Sequence, residues 1–217
     1  MEATPPSVKG VTPSPKGRVL LICGPARTGK STLARILRRR IDGQVISGDA
    51  FTHGIRNALQ EDWIPDLFTD TVDPVNLADA YEIQIARLRK RDRAMWQFAR
   101  GYILAAQANS QDNVLMDGGF WPDALVDLPT EHRAVFLVDT SSDRAELLKR
   151  VRDTATENNW MRDRKYTDER IARWAQFDIA RSRRFIELCE LHGYPYFDIA
   201  TYGIAGAQQA ALDYLLQ

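Results

Sequence analysis

Short apolar runs alternate along the chain with longer segments in which apolar side chains recur every three or four residues. The apolar runs are rich in β-forming residues and lie at 18–23, 44–47, 113–116, 133–138 and 194–199. Each run is short enough to be a strand, and the first, which stops abruptly at Gly24, is expected to be buried on both faces. Helical spacing is found over 31–40, 75–109, 143–152, 167–192 and 207–216. This alternation predicts βαβ units, and therefore an α/β fold around a central parallel sheet of about five strands.

Capping and helix-breaking residues refine the helical segments. Thr167 is a predicted N-cap, and Gly193 is the predicted end of the same helix. Gly101 falls inside the long pattern of 75–109, where we expect it to bend or interrupt the helix. Residues 51–74 contain prolines and many acids and are expected to be irregular.

Polar or glycine residues follow four of the predicted strands directly. They are Gly24, Asp49, Asp117 and Asp139. Because right-handed crossovers bring the carboxyl ends of parallel strands to one edge of a sheet, these residues are expected to converge there. That edge is the predicted functional site.

Composition limits the class of protein. The 217 residues are 44% hydrophobic and 27% charged, which suits one domain over 17–217. Lys+Arg and Asp+Glu are equal at 29 each, so the charge balance does not single out nucleic acid as a partner. Residues 1–16 are rich in Pro, Ser and Thr and are expected to be a flexible tail rather than a signal peptide.

The same reading predicts a cytoplasmic protein with no membrane partner. No run approaches the roughly 18 apolar residues of a membrane span. Cys23 and Cys189 are far apart and show no metal-binding or CxxC spacing, so we expect buried thiols in a reducing compartment.

Residues 24–31, GPARTGKS, fit the pattern GxxxxGK[ST] of a phosphate-binding loop, or P-loop, with a predicted strand before it and a helix after it. Successive backbone N–H groups and the helix N-terminus would surround phosphate oxygens. Lys30 would reach the β- and γ-phosphates, and the Ser31 hydroxyl would bind Mg²⁺. The alternative is an ordinary glycine-containing turn with a solvated lysine. The predicted cofactors are therefore ATP and Mg²⁺, and the predicted nucleotide-binding residues are Gly24, Pro25, Ala26, Arg27, Thr28, Gly29, Lys30, Ser31 and Thr32.

With this loop, an acid after the second strand (Asp49), a strand-end acid (Asp117) and an Arg-rich segment before the last strand, the chain resembles the P-loop kinases with a nucleoside-monophosphate-kinase-like fold. It is most similar to the group that contains gluconate and shikimate kinases, polynucleotide 5′-hydroxyl kinases and zeta-type toxins. The resemblance implies a three-layer P-loop NTPase sandwich with a helical lid at about 150–168. It also implies that Asp49 accepts the proton of the attacking hydroxyl.

The acids have both functional and structural interpretations. A carboxylate at Asp49 would lie near Mg²⁺ and the γ-phosphate and orient a hydroxyl for in-line attack, or it would satisfy N–H groups of a turn. Asp117 has the form of a Walker B metal ligand, although apolar strands commonly end in aspartate. Gly118 and Gly119 follow it and would permit close approach of substrate or backbone.

Arginines supply the remaining candidates. The resemblance implies that lid arginines close over the phosphates; of Arg150, Arg152, Arg162 and Arg164, we select Arg152 and Arg162 as catalytic. Their alternative is a solvated helix face. Arg56 is predicted to bind an anionic substrate, and Arg100 to lie where substrate binds. The basic stretch 87–93 is either an exposed helix face or a contact for nucleic-acid phosphates.

The predicted function is an ATP-dependent kinase that transfers the γ-phosphoryl group to a hydroxyl of a small metabolite or nucleoside. The substrate pocket would be bounded by residues 51–74 and the long helix. One alternative is a kinase acting on a nucleic-acid hydroxyl at a 5′ end or on a modified base, which is not favoured. Others are a nucleotide-hydrolysing switch or assembly ATPase and a binding module without activity. The acceptor, the choice between ATP and GTP and the oligomeric state stay open.

Overall fold

The computed structural model describes residues 17–68, 80–109, 112–154 and 159–217. The predicted tail, residues 1–16, lies outside the described residues. In chain order the elements are β1 (Val19–Cys23), α1 (Lys30–Arg38), β2 (Gln44–Ser47), α2 (Gly48–Ala58), α3 (Pro65–Phe68), α4 (Tyr81–Asn109), β3 (Val114–Gly118), α5 (Pro122–Leu125), β4 (His132–Val138), α6 (Arg144–Asp153), α7 (Trp160–Asp163), α8 (Asp168–His192), β5 (Tyr196–Asp198) and α9 (Ile199–Leu216).

The strands form a parallel five-stranded sheet in the order β2-β3-β1-β4-β5, which confirms the predicted α/β fold. β1 is central: Val19 lies opposite Val114 of β3 on one side and His132 of β4 on the other. Every residue of β1 is buried. The segment that follows β1 therefore emerges between the carboxyl ends of its two neighbours, where open α/β sheets bind ligands.

Helices cover both faces of the sheet and complete the predicted three-layer sandwich. Leu20 and Ile22 of β1 pack with α1 and α9, whereas Leu21 and Cys23 pack on the other face with α4, α5 and α8. This alternation follows from the two-residue period of a strand. The apolar faces of the two helical layers are thereby removed from water, which is the main contribution that stabilises such a sandwich.

The structure corrects the predicted secondary structure at three places. α2 occupies Gly48–Ala58 within a segment expected to be irregular; the Ser47 side chain accepts a hydrogen bond from the Ala50 N–H at 3.4 Å and caps it. α4 continues through Gly101 without interruption, since its packing stabilises the helix beyond glycine's weak propensity. α9 begins at Ile199, earlier than predicted, and is kinked at Gly203 with φ 65°. Residues 69–79, on which the predicted start of the long helix falls, lie outside the described residues.

The predicted lid region has a small apolar cluster of its own. Leu148 of α6, Met161 of α7 and Ile171 of α8 are fully buried and pack with the largely buried Tyr166 and Trp174. This cluster packs the described part of the predicted lid against the start of α8. Residues 155–158 of the predicted lid lie outside the described residues.

Both cysteines are buried free thiols, in agreement with the prediction. Burial raises the pKa of Cys23 far above its usual range and that of Cys189 to about 12, so neither thiol forms the reactive thiolate near neutral pH. Among the described residues, every helix is too short or too polar to cross a bilayer.

Candidate active site

Residues 24–29 turn sharply between β1 and α1, as the P-loop pattern predicts. Gly24 has φ 131°, and a Cβ at that position would lie 2.0 Å from the carbonyl oxygen of Leu137 in β4. A side chain is therefore excluded there by a neighbouring strand as well as by backbone conformation. Gly29 has φ 87° and immediately precedes the first turn of α1, which leaves the helix N-terminus facing the loop.

Lys30 lies within this loop. Its Nζ donates a hydrogen bond to the carbonyl oxygen of Pro25. Burial lowers the pKa of Lys30 to about 8, although the nearby carboxylates of Asp49 and Asp117 act to raise it. Lys30 is half-buried, and an ammonium group partly removed from water is suited to bind an anion, because an anion would supply the charge partner that water supplies less well.

Ser31 and Asp117 meet at the predicted metal position. The Ser31 Oγ donates to Asp117 Oδ2 at 2.6 Å, and Asp117 is only 5% exposed near the end of β3. A hydroxyl beside a carboxylate is a donor set that Mg²⁺ accepts, with phosphate oxygens and water as its other ligands. Clusters of three or more His, Cys, Asp or Glu suited to a metal are absent from the described part of the chain.

Asp49 lies in the first turn of α2, next to the P-loop lysine. A Cβ at Gly48 would lie 2.4 Å from the Asp117 carbonyl oxygen, so the start of α2 approaches the end of β3 as closely as backbone atoms allow. The Asp49 side chain is exposed and lines the same cavity as Lys30. The structure therefore brings Lys30, Asp49, Ser31 and Asp117 to one edge of the sheet.

A cavity of about 350 Å³ adjoins the P-loop. Gly24, Ala26 and Lys30 belong to its lining, as do Asp49 and Arg56. Further lining residues come from three helices and two connecting segments. Arg91, Gly119 and Arg164 were among the sequence candidates, whereas His53, Asp92 and Arg181 were not predicted as site residues. The cavity thus joins the phosphate-binding loop to a pocket rich in arginine.

Arg181 is the principal unpredicted residue of this pocket. It is 7% exposed, and its Nη2 lies 3.5 Å from Asp92 Oδ2. Asp92 Oδ2 also accepts a hydrogen bond from Trp121 Nε1 at 2.9 Å, and its Oδ1 accepts one from Arg91 at 2.6 Å. A Cβ at Gly119 would lie 3.1 Å from Arg181 Nη2, so glycine lets the guanidinium approach the backbone there.

The spacing of residues around Arg181 could have identified it as a site residue. Arg181 lies four residues after Phe177 and four before Phe185, so it occupies the buried face of α8 rather than the solvated one. An arginine on an apolar helical face requires a partner or a ligand. Its burial lowers the pKa of Arg181, while Asp92 and Asp178 oppose that effect.

The two predicted lid arginines lie outside the cavity lining, whereas Arg164 belongs to it. Arg152 donates to Asp168 Oδ1 at 2.6 Å and to Asp153 Oδ1 at 2.7 Å, and these hydrogen bonds raise the pKa of Arg152. The side chain of Arg162 is 47% exposed. The catalytic roles of Arg152 and Arg162 stay predictions.

Arg100 also lies outside the cavity lining, and its Nε donates to the Asp127 carbonyl oxygen at 3.0 Å. Within the basic stretch 87–93, Arg89 forms an ion pair with Asp123 at 2.6 Å. Arg91 is bound to Asp92 and faces the cavity. The stretch is therefore divided between internal ion pairs and exposed positions.

The fold and the site together define a class. A parallel sheet in the order β2-β3-β1-β4-β5 with GxxxxGK[ST] between β1 and α1 is the architecture of P-loop nucleotide-binding proteins with a nucleoside-monophosphate-kinase-like fold. No protein-family model and no curated protein matches this chain.

Among solved structures, the chain is similar to shikimate kinase from Bacteroides thetaiotaomicron, with 16% identity and a TM-score of 0.53 over 90% of this chain and 97% of that one. It is also similar to shikimate kinase from Acinetobacter baumannii in complex with shikimate (15% identity, TM-score 0.48, 90% and 91% covered). A third similar structure is Mycobacterium tuberculosis APS kinase in complex with AMPPNP and APS (18% identity, TM-score 0.39, 71% and 78% covered). The first likeness shows a shared P-loop kinase fold.

Proposed function

We propose that this protein is an ATP-dependent kinase that phosphorylates a hydroxyl group of a small metabolite or nucleoside. The observation that carries the proposal is the cavity itself. Lys30 of the P-loop and Asp49 line this cavity together with Arg56 and Arg181. A phosphate donor and a small acceptor can therefore meet beside a carboxylate.

Each group around the P-loop has a proposed role in phosphoryl transfer. The backbone N–H groups of residues 24–32 bind the triphosphate, and Lys30 contacts its β- and γ-phosphates. Ser31 and Asp117 hold Mg²⁺, which when bound supplies charge neutralisation on the phosphates. Asp49 orients the acceptor hydroxyl and accepts its proton during transfer. Shikimate kinase and APS kinase, which resemble this chain, are kinases by name, which supports the assignment.

The acceptor is proposed to be small and to carry an anionic group. A volume of about 350 Å³ lies at the lower end of the roughly 300–1,000 Å³ typical of small-molecule sites. Arg56 and Arg181 are positioned to bind a carboxylate or phosphate, with Asp92 fixing Arg181. The ion pairs of Arg89 and Arg91 leave the basic stretch less suited to a nucleic-acid backbone.

The lid arginines are proposed to complete the site when substrates bind. Arg164 already lines the cavity, and closure would bring Arg152 or Arg162 toward the transferred phosphoryl group. Closure also excludes water, which would otherwise accept the phosphoryl group.

The experiment is a transfer assay with γ-labelled ATP and Mg²⁺ over hydroxyl acceptors, including anionic metabolites, their neutral analogues, nucleosides and oligonucleotides. Wild type is compared with Asp49→Asn and with Asp213→Asn, which changes an exposed aspartate of α9. We expect label to move to an anionic small acceptor, transfer to fall by about 10²–10⁴-fold in Asp49→Asn, and no change in Asp213→Asn.

The other outcomes contradict specific parts of the proposal. Label released only as inorganic phosphate would support a hydrolase or switch ATPase. Transfer to oligonucleotides alone would support the nucleic-acid kinase. Equal transfer by wild type and Asp49→Asn would show that Asp49 is not the base.

A further inference from the structure

A guanidinium is buried directly behind the P-loop. Arg144, the first residue of α6, is fully buried, although arginine is among the residues least often found inside proteins. It contacts none of the cavity-lining side chains through an ion pair; its charged contacts are with Asp139 and Asp178. Its position behind the loop, rather than in the cavity, requires its own explanation.

Arg144 binds the P-loop through two successive carbonyl groups. Its Nη2 donates to the Ala26 oxygen at 2.8 Å, and its Nη1 donates to the Arg27 oxygen at 3.3 Å. In a trans peptide the C=O and the following N–H point in opposite directions. Holding these two carbonyls on the α6 side therefore directs the N–H groups of Arg27 and Thr28 to the other side of the loop.

The residue between those carbonyls has a strained backbone. Arg27 has φ 59°, in the left-handed region that is unfavourable for a non-glycine residue. Such a conformation persists only where the surroundings hold it. Arg144 binds the peptide on each side of Arg27, so it is placed to hold this conformation.

The anchor of Arg144 extends to α8. Asp139, directly after β4, accepts from Arg144 Nη1 at 2.8 Å, and Asp178 of α8 accepts from Nη2 at 2.9 Å. One turn further along α8, Ser182 Oγ lies 3.1 Å from the Asp139 N–H and accepts its hydrogen bond. Arg181, between them in sequence, lines the cavity. The carboxylates balance the buried charge, which would otherwise be too costly to retain.

We infer that Arg144 is a positioning residue that holds the P-loop in its phosphate-binding conformation and ties that loop, through Asp178, to the helix that carries Arg181. The inference rests on the proposed nucleotide site at the P-loop. Arg144 contacts the backbone of the loop at the Ala26 and Arg27 carbonyls, so its proposed effect on binding is exerted through residues 26–28.

The first test compares Arg144→Lys with Arg133→Lys. Lysine keeps the positive charge beside Asp139 and Asp178, but one ammonium cannot reach all the acceptors that a guanidinium fork reaches. Arg133 is the matched control, since it donates to the Tyr214 carbonyl oxygen at 2.9 Å from the opposite end of β4. Binding of AMPPNP·Mg and of tripolyphosphate·Mg is measured by calorimetry, and thermal unfolding reports folding.

We expect Arg144→Lys to weaken both probes by about 10-fold or more, because a charge-assisted hydrogen bond is worth about 1.5–3 kcal/mol, and Arg133→Lys to bind as wild type. Equal binding by Arg144→Lys and wild type would overturn the inference. Equal losses in both variants would also overturn it, by showing a general effect of stability. If Arg144→Lys does not fold, Asp178→Asn is measured in its place, with a loss of several-fold expected and unchanged binding counting against the inference.

A second test isolates the strained residue. Arg27→Gly removes the cost of positive φ, so Arg144→Lys should cause a loss at least about 3-fold smaller in the Arg27→Gly background than in wild type. The same fold-loss in both backgrounds would show that Arg144 does not act through this backbone. Lys30→Ala distinguishes failure of the proposed nucleotide site from failure of the positioning role of Arg144. Unchanged AMPPNP binding in Lys30→Ala would refute the nucleotide site itself. Weakened binding in Lys30→Ala with intact binding in Arg144→Lys would refute only the positioning role.

Discussion

The P-loop lysine is predicted to destabilise the protein when no anion is bound. Burial lowers the pKa of Lys30 from 10.5 to about 8, which corresponds to roughly 3 kcal/mol at about 1.4 kcal/mol per pH unit. Lys30→Met removes that cost, but it also removes the hydrogen bond to the Pro25 carbonyl, worth about 1 kcal/mol. The variant should therefore be about 2 kcal/mol more stable than wild type near neutral pH.

The effect has a defined pH range. Below pH about 8, Lys30 is charged in the folded and unfolded states, and the full cost is present. Between pH about 8 and 10.5 the unfolded chain still holds the proton that the folded protein has lost. The free energy of unfolding contributed by Lys30 then rises with pH, because the unfolded state binds more protons. The advantage of Lys30→Met should shrink across this range.

The assay is thermal unfolding in chelator, without nucleotide, at about pH 7 and about pH 10. At the lower pH the melting temperature of Lys30→Met should exceed that of wild type by about 4–8 °C, as expected for 2 kcal/mol in a chain of this size. Lys90→Met, which changes an exposed lysine of α4, should leave it unchanged within about 1–2 °C.

The reasoning is refuted if Lys30→Met melts below wild type at neutral pH, or if the difference between them is the same at both pH values. A gain in stability should coincide with a loss of AMPPNP binding of at least about 10-fold. Stabilisation with unchanged nucleotide binding would show that the lysine is buried for another reason.

Three further substitutions test the cavity, the loop and the core. Arg181→Gln should raise the KM for an identified acceptor by about 10-fold or more and leave the KM for ATP nearly unchanged. The control Arg184→Gln, on the exposed face of the same helix, should change neither KM. Equal effects of the two substitutions would show that Arg181 does not bind the acceptor. Gly24→Ala should lower stability by more than about 2 kcal/mol in urea unfolding, because its Cβ would meet a backbone oxygen at 2.0 Å; a stable variant would contradict that contact. Leu37→Ala should lower the free energy of unfolding by about 2–5 kcal/mol. Leu191→Ala, at a side chain that is 73% exposed, should lower it by under about 0.5 kcal/mol. Similar losses in the two variants would contradict the assigned packing of α1.

Structural features that are formed by consecutive residues could be predicted from the sequence. The P-loop is one, because strand, glycine turn, Lys30 and helix follow one another directly and the pattern tolerates few other conformations. The central strand β1 is another, since a run buried on both faces is apolar throughout. Helix α2 was missed because the prolines and acids of residues 51–74 indicate an irregular segment, whereas the cap at Ser47 and the apolar pair Phe51 and Ile55, four residues apart, favour a helix.

Charge pairing was decided by the tertiary structure. With 29 basic and 29 acidic residues, the sequence does not indicate that Arg144 pairs with Asp178 while Arg181 pairs with Asp92. The ion pair of Arg152 with Asp168 is likewise a contact that the sequence does not indicate. Local sequence therefore determined the phosphate-binding loop and its sheet, whose geometry depends on consecutive dihedral angles and apolar periodicity. The cavity beside the loop and the burial of Arg144 behind it were decided by the tertiary structure, because their energies depend on partners that become neighbours only when distant helices pack.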